Sequence, residues 1–175
     1  MPEKNIWTIG HSTHTLEGFV AMLHSFQINR VVDIRNFPGS RKFPHFNKEN
    51  LQISLPENGI AYTHIKELGG RRKPSADSKN DGWRLPAFRG YADYMQTEIF
   101  KNAIKGLEQL GAESKVAYMC SEAVWWRCHR RLLADTLLVR GVEVRHIFSD
   151  AKPKPHELSE FARQDVGGVI YPGLL

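Results

Sequence analysis

The sequence lacks any hydrophobic run that approaches the ~20 apolar residues needed to span a bilayer. Its amino-terminal stretch, Met1 to Ile6, also lacks the apolar core of a signal peptide. Neither an internal repeat nor a low-complexity block is present. These absences argue against a membrane protein, an exported protein and a repeat array. They predict a cytoplasmic protein without a membrane partner.

Cysteine is scarce, since Cys120 and Cys128 are the only two among 175 residues. Such a low count argues against a disulfide-stapled scaffold. In a reducing compartment both are expected to be free thiols, although they could pair transiently in redox chemistry. A long basic arm is missing as well, because the net charge of +5 is spread over short pairs such as Arg41-Lys42. This charge gives only weak support for an anionic partner.

What the sequence does contain is a regular alternation of strand-like and helix-like segments. The predicted strands are Ile6–Ile9, Arg30–Arg35, Ile60–His64, Val116–Met119 and Val142–Ile147. Amphipathic segments with helical spacing separate them, including a clear one from Ile99 to Leu110. Strands that alternate with helices form parallel units with right-handed crossovers. We therefore predict an α/β fold: a three-layer, doubly wound, mainly parallel sheet of about five strands.

A chain of this length fits one domain, which buries roughly 70% of its unfolded surface. We predict an α/β domain over residues 1–148 and a proline-rich tail over residues 149–175 that packs on the same domain. The polar segment Arg71–Phe88 predicts a surface loop, and long loops in compact domains are usually functional or mobile. A helix start with an acid in its first turn is expected at Tyr91–Tyr94.

Unusual polar loops follow four of the predicted strands. They contain, in chain order, His11-Ser12, the segment Asp33 to Arg41, Gly69-Gly70, and the segment Cys120 to Arg130. The carboxyl ends of parallel strands share one edge of the sheet, where open α/β sheets bind ligands. The four loops are therefore predicted to converge on a single cleft.

The segment from Cys120 to Arg130 concentrates reactive groups at one strand-to-helix junction. We expect Cys120 at the carboxyl end of its strand, near the N-terminus of a helix that carries Leu132 and Leu133. The free N–H groups and positive potential of a helix N-terminus favour anions and lower the pKa of a thiol. The competing interpretation is that a small buried cysteine here only packs the core.

Several of these motifs, in this order, closely resemble the bacterial family called domain of unknown function 488. The motifs are Gly10-His11-Ser12, Asp33-Ile34-Arg35 with Pro38 and Ser40-Arg41, Leu68-Gly69-Gly70, Phe88 to Met95, and Cys120 through Arg130. The resemblance runs from about Ile9 to Ile147 and is weaker in the tail. It implies an α/β fold and a shared site formed by these loops. It names no activity and no cofactor.

Three kinds of site find little support in the spacing of these residues. A tyrosine-phosphatase-like loop is disfavoured, because the six residues between Cys120 and Arg127 hold a carboxylate but no glycine. A rhodanese-like sulfur carrier rests only on an analogy with Asp33–Arg35. A zinc site built on both cysteines and His129 is disfavoured, because adjacent helical side chains diverge and the cysteine spacing is unusual. We therefore predict no metal.

Nucleophilic catalysis is the leading hypothesis. The candidate catalytic residues are Cys120 as nucleophile with Glu122 and His129 as acid or base. The candidate substrate-binding residues lie in the converging loops: His11, Ser12, Asp33, Arg35, Ser40, Arg41, Arg89, Tyr91, Asp93, Arg127, Cys128 and Arg130. The predicted function is thiol-dependent chemistry on a small anionic or nucleotide substrate.

The alternative is a non-catalytic binder of nucleotides or single-stranded nucleic acid, in which the arginines supply charge and Trp125 and Trp126 supply stacking surfaces. Two simpler interpretations compete with it. The tryptophans cap the core above the sheet, and Asp33 and Arg35 form an ion pair that shapes the site. The moderate charge and the converging loops favour a compact cleft for a small anion over a long groove. The sequence indicates no oligomeric state.

Overall fold

A computed structural model of the chain describes residues 4–149 and 152–173, and it confirms the α/β class. The five parallel strands are β1 Asn5–Gly10, β2 Arg30–Asp33, β3 Ala61–His64, β4 Val116–Cys120 and β5 Glu143–Ile147. The helices are α1 Leu16–Ser25, α2 Lys48–Glu57, α3 Pro86–Tyr94, α4 Glu98–Glu113 and α5 Arg130–Val139. Within the described ranges, no helix has the length and apolarity to cross a membrane.

The central sheet has the strand order β3-β2-β4-β1-β5-β6. Its first five strands are parallel, as the sequence predicts. The sixth, β6 at Lys154–Pro155, pairs antiparallel with β5 at the edge of the sheet. The sequence does not predict β6, because proline cannot donate to a ladder and is tolerated only in edge strands. A separate hairpin joins β7 Arg163–Asp165 to β8 Gly168–Ile170.

Side chains on the two faces of the sheet form two separate cores, which makes the fold three-layered. In β4, Val116, Tyr118 and Cys120 join the core beneath α3, α4 and α5. Ala117 and Met119 join the core beneath α1 and α2. All five are buried, as expected for a central parallel strand covered on both faces. Cys120 therefore lies on the α5 side of the sheet.

The predicted helix start at Tyr91–Tyr94 is wrong. Helix α3 begins at Pro86, whose fixed φ suits the first helical turn, so the polar loop before it ends correspondingly earlier. Asp93 lies near the end of this helix, where its carboxylate accepts hydrogen bonds from Ser78 Oγ and Asn80 Nδ2 at 2.7 Å each. Asp93 therefore fastens the loop to α3.

The carboxy-terminal segment packs on the same body as the sheet. Strand β8 contacts α5, and Tyr171 is fully buried. Its hydroxyl donates to Asp135 Oδ2 at 2.7 Å. Residues 150, 151, 174 and 175 of the predicted tail lie outside the described residues. The described part of the tail thus reaches the core on the α5 side.

Three helices end in the same backbone motif, with a residue in the left-handed region two positions after the last helical residue. Gly59 (φ 75°) holds this position after α2 and Gly141 (φ 86°) after α5, but Gln27 (φ 60°) holds it after α1. The amides of Gln27 and Ile28 bond back to the carbonyls of the last turn, which is the Schellman arrangement. Glycine adopts this conformation without the steric cost that a side chain adds.

Gln27→Gly is expected to raise the free energy of unfolding by about 1 kcal/mol, because left-handed backbone costs an L-residue with a side chain roughly 1–2 kcal/mol. Gln27 is exposed, so little packing is lost. Urea denaturation measures the change. Gly59→Gln, at the equivalent position after α2, is the control and should lower stability by a similar amount. A Gln27→Gly protein no more stable than the wild type would contradict the argument.

Candidate functional site

The carboxyl ends of β1, β2 and β4 border a cavity of about 650 Å³. This volume is typical of sites for small molecules. The structure brings nine of the predicted site residues to its lining: His11, Ser12, Arg35, Ser40, Cys120, Glu122, Arg127, Cys128 and His129. Their loops therefore meet at the sheet edge where the sequence places the cleft.

Six predicted site residues are outside this lining: Asp33, Arg41, Arg89, Tyr91, Asp93 and Arg130. Arg89 donates to the Trp83 carbonyl oxygen at 3.0 Å, and the Tyr91 hydroxyl donates to the Leu68 carbonyl oxygen at 2.9 Å. These side chains and Asp93 stabilise the fold. Their polar groups already have partners within the protein, so they do not make the predicted contact with a ligand. Arg41 is exposed. Asp33 and Arg130 support the cavity from behind.

Cys120 and Cys128 form a pair at the floor of the cavity. Both are buried free thiols, and their Sγ atoms lie 2.9 Å apart. Cys120 ends β4, whereas Cys128 follows a short 3₁₀ turn at Trp125–Arg127 and precedes α5 by one residue, His129. The loop between the cysteines thus folds back and brings both sulfurs to the same face of the sheet.

The expectation that Cys120 has a lowered pKa is wrong. Burial raises the pKa of Cys120, and its hydrogen bond to Cys128 raises it further. Burial also opposes ionisation of Cys128, but the hydrogen bond from Cys120 and the positive charge of Arg130 outweigh it, so the pKa of Cys128 is lowered. The physical reason is that Cys128, and not Cys120, adjoins the N-terminus of α5. Cys128 is therefore the better thiolate.

His129 turns one imidazole nitrogen toward this thiol. Its Nδ1 lies 3.4 Å from Cys128 Sγ, and its Nε2 lies 3.3 Å from the Ile34 carbonyl oxygen. Because a carbonyl oxygen only accepts, the hydrogen is assigned to Nε2 and Nδ1 is left as an acceptor. Burial lowers the pKa of His129, which favours the neutral ring. The imidazole is thus placed to accept a proton from Cys128.

Arg35 forms part of the cavity wall. Its NH2 group donates to Asp33 Oδ2 and to the Phe46 carbonyl oxygen at 2.7 Å each, which confirms the interpretation of Asp33 and Arg35 as an ion pair. Its NH1 group lies 3.3 Å from His11 Nε2. Burial is the main cause that lowers the pKa of His11 to about 4. The neutral ring donates from Nδ1 to the Ser12 carbonyl oxygen at 2.9 Å, which leaves Nε2 to accept from Arg35.

Cations outnumber anions along the cavity. Arg35, Arg71 and Arg127 line it from three different loops, and Glu122 is the one carboxylate residue among the described lining residues. Sequence reasoning misses Arg71, although the Gly-Gly pair before it is a clue. Arg71 (φ 60°) and Ser12 (φ 46°) both have left-handed backbone. Such residues cost about 1–3 kcal/mol each and cluster at functional sites. The cavity lining therefore carries more cationic than anionic side chains.

The two tryptophans of the cysteine loop pack outside the cavity. The Trp125 ring stacks on His146 at 4.2 Å with an interplanar angle of 3°. Trp126 contacts Trp125 edge-on and is 45% exposed. Neither ring belongs to the cavity lining. Trp125 therefore fits the core-capping interpretation, and only Trp126 presents a ring to solvent.

Arg130 reaches the thiols from behind the cavity. It is 1% exposed, its NH2 group donates to the Glu122 carbonyl oxygen at 2.7 Å, and its NH1 group donates to Thr8 Oγ1 at 3.2 Å. The Glu122 carbonyl lies directly over Gly10, where a Cβ atom would come within 1.7 Å of its oxygen. Sequence reasoning misses Thr8 and names Gly10 only as part of a family motif, because their roles depend on the register of β1 against β4.

The spacing of the two sulfurs differs from that of a zinc site. Among the described residues, no group of three or more His, Cys, Asp and Glu side chains is arranged to hold an ion. Two thiolates on one tetrahedral zinc, at Zn–S distances of about 2.3 Å, lie farther apart than the 2.9 Å between these sulfurs. The two sulfurs are arranged to share a hydrogen bond.

Comparison with known proteins gives one match. No curated protein and no solved structure shows significant similarity to the chain. The family model described as "Domain of unknown function DUF488" matches residues 15–137, which is more than half of the chain. The matched segment includes both cysteines, His129 and Arg130, and it contains every motif identified in the sequence except Gly10-His11-Ser12. The chain belongs to the DUF488 family.

Proposed function

We propose that this protein is a thiol-dependent enzyme in which Cys128 is the nucleophile and the substrate is a small anion. The observation that carries the proposal is the position of the Cys128 sulfur at the floor of a cationic cavity, with Cys120, His129 and Arg130 around it. The sequence-based hypothesis gives the nucleophilic role to Cys120. We move that role to Cys128, because the groups that favour a thiolate surround Cys128.

Each neighbour has a part in the proposed reaction. His129 Nδ1 accepts the proton that Cys128 releases, while the Cys120 thiol and the Arg130 charge stabilise the thiolate. The thiolate forms a bond to the electrophilic atom of the substrate, and the leaving group departs with the bonding electrons and takes the proton from the imidazole. Water then cleaves the covalent intermediate and restores the thiol.

The cavity indicates the class of substrate. Its volume of about 650 Å³ suits a small molecule, and the guanidinium groups of Arg71 and Arg127 are well matched to a carboxylate or phosphate. Phe37, also in the lining, is 70% exposed and offers a ring face to a planar group such as a nucleobase. This chemistry requires two reduced thiols, a state that a reducing cytoplasm maintains, and we place the protein there.

Iodoacetamide is expected to label Cys128 before Cys120 in the folded protein, with an apparent pKa for Cys128 below the ~8.5 of a free cysteine. The reason is that Cys120 and Arg130 stabilise the Cys128 thiolate. Labelling rates as a function of pH, followed by peptide mass spectrometry, measure the value. Cys120→Ala removes a hydrogen-bond donor and should raise the apparent pKa of Cys128. Preferential labelling of Cys120 would sink the proposal.

The same assay tests the anionic substrate, with inorganic phosphate and AMP as probes. Both are expected to protect Cys128 from iodoacetamide, and Arg127→Ala should weaken that protection. Lys105→Ala, an exposed change on α4 outside the cavity lining, is the matched control and should leave protection unchanged.

The second candidate function is a non-catalytic binder of nucleotides or nucleic acid, which the exposed rings of Phe37 and Trp126 favour. In that case oligonucleotides bind more tightly as their length increases, and log affinity falls with log salt by about 0.7 per phosphate contact. Cys128→Ser would leave that binding unchanged. A compact site instead binds a mononucleotide about as well as an oligomer, which is the outcome we expect.

A further inference from the structure

A chain of buried hydrogen bonds runs from Arg130 to Asp135 through three side chains that the proposed function does not use. Arg130 NH1 lies 3.2 Å from Thr8 Oγ1, which lies 2.7 Å from His146 Nδ1. His146 Nε2 lies 2.9 Å from His156 Nδ1, and His156 Nε2 lies 2.7 Å from Asp135 Oδ1. All five side chains are buried. The chain therefore links the thiol site to the carboxy-terminal segment.

The two ends of this chain have fixed roles in their hydrogen bonds. A guanidinium only donates, so Thr8 accepts from Arg130. A carboxylate only accepts, so His156 donates from Nε2 to Asp135. With one hydrogen on each ring, His156 Nδ1 accepts from His146 Nε2 and His146 Nδ1 accepts from Thr8, so that every donor points from Arg130 toward Asp135. Burial is the main cause that lowers the pKa of His146 to about 2, which favours the neutral form of that ring.

Asp135 closes the chain as a fully satisfied carboxylate. Its Oδ1 also accepts the Ser159 backbone N–H at 3.1 Å, and its Oδ2 accepts the hydroxyls of Ser159 and Tyr171 at 2.7 Å each. These donors compensate the charge that burial disfavours. The chain thus has a cation at one end and an anion at the other, and bonds polarised in the same sense strengthen one another.

The Arg130 end of the chain lies against the thiols. The charge of the guanidinium acts on both Cys120 and Cys128. The middle of the chain also contacts the cysteine loop, because Trp125 stacks on His146 and meets the His156 ring edge-on. A change anywhere in the chain can therefore reach the environment of the sulfurs.

We propose that Thr8, His146, His156 and Asp135 are positioning residues that hold the Arg130 guanidinium against Cys128 and so set the reactivity of its thiol. This inference rests on the proposed role of Cys128. Arginine loses much rotamer freedom when it is buried, so a fixed partner is needed to keep it at one place. Thr8, His146 and His156 lie outside the matched residues 15–137, so the functional unit extends beyond the family match.

Side-chain ¹⁵N NMR of the wild-type protein tests the direction of these hydrogen bonds without any mutation. We expect both His146 and His156 to carry a hydrogen on Nε2 and none on Nδ1. A hydrogen on Nδ1 of either ring would overturn the chain as described, because that nitrogen would then donate where the chain requires an acceptor.

Thr8→Val tests the positioning role, because it removes the hydroxyl and keeps the shape of the side chain. We expect the apparent pKa of Cys128, measured from the pH dependence of its alkylation rate, to rise by about one unit. Alkylation at neutral pH would then be about tenfold slower. Thr8→Ser keeps the hydroxyl and should retain the wild-type profile. Tyr91 and Tyr118 also act on Cys128, but burial raises the pKa of each well above its usual value, so neither interferes.

The possible outcomes separate this inference from the function on which it rests. If Cys128 labels with a lowered apparent pKa in the wild type and Thr8→Val labels identically, the positioning role is overturned and the proposed function stands. If Cys128 does not label in the folded wild type, both are overturned. Should Thr8→Val not fold, His156→Gln, which breaks the chain at a different link, must show the slower reaction for the inference to survive.

Discussion

Gly10→Ala is expected to destabilise the protein by about 3 kcal/mol or more and to abolish the preferential labelling of Cys128. The added Cβ would come within 1.7 Å of the Glu122 carbonyl oxygen and within 3.0 Å of Arg130 NH2. Backbone must move to remove the first of these overlaps. Moving the carbonyl breaks its hydrogen bond with Arg130 and displaces the loop that leads to Cys128.

Gly106→Ala is the matched control for this change. Gly106 lies within α4, and apart from the helix's own backbone and the neighbouring residues no atom comes within 4 Å of a Cβ built there. Alanine favours a helix interior over glycine by roughly 0.5–1 kcal/mol, so this variant should be slightly more stable than the wild type. Urea denaturation with iodoacetamide labelling compares the two variants. A Gly10→Ala protein with wild-type stability and labelling would show that the loop does not need the close approach at Gly10.

Acidification is expected to destabilise the protein steeply as the pH falls below about 6.5, because buried histidines, His11 and His146 among them, are held neutral in the folded state. Burial is the main cause that lowers the pKa of His11 to about 4 and that of His146 to about 2, from 6.5. The unfolded chain therefore binds more protons than the folded chain below about pH 6.5. Each histidine removes about 1.4 kcal/mol of stability per pH unit, for His11 until the pH reaches about 4.

His11→Asn separates the contribution of one ring from the rest. Asparagine does not titrate, so between about pH 6.5 and pH 4 the variant should lose about 1.4 kcal/mol less stability per pH unit than the wild type. The variant will also be less stable at every pH, because the stacking of His11 on Phe46 is lost, but a constant offset does not alter the slope. His24→Gln, an exposed change on α1, is the control. An unchanged slope in His11→Asn would contradict the assignment.

The parts of the fold that follow from local patterns were predictable. The apolar runs give all five parallel strands, and their order along the chain forces the carboxyl ends of β1, β2 and β4 to one edge. Helical spacing gives α4 with its buried Phe100, Ile104 and Leu107. In each case neighbouring residues determine the element, so one sequence is enough.

The choice between the two thiols was not predictable, because it depends on how the chain folds between them. The sequence indicates a turn after Cys120 followed by a helix. In the structure a 3₁₀ turn occupies Trp125–Arg127 and Cys128 is extended, so the helix N-terminus adjoins Cys128. A shift of a few residues in a helix boundary thus changes which sulfur receives the stabilising contacts.

Contacts between distant residues are the second limit of the sequence. Thr8 and His146 are 138 positions apart and meet only because β1 pairs with β5 in one register. A pair of buried histidines has no periodicity or motif that would mark it. For Asp93 the sequence suggested a contact that the structure does not have. Its place in a recognised motif indicated a ligand contact, whereas its carboxylate accepts hydrogen bonds from the preceding loop.

The central place of β1 has a consequence for synthesis on the ribosome. This strand is made first, yet both of its partners, β4 and β5, are the last parallel strands to be made. A nascent chain therefore carries β1 with both edges unpaired until Cys120 has emerged and with one edge unpaired until Ile147 has emerged, while β2 and β3 can pair with each other earlier. Unpaired apolar edges promote aggregation, and long-range pairing is slow. We expect cotranslational folding to finish late and the waiting amino-terminal segment to be a target for chaperones.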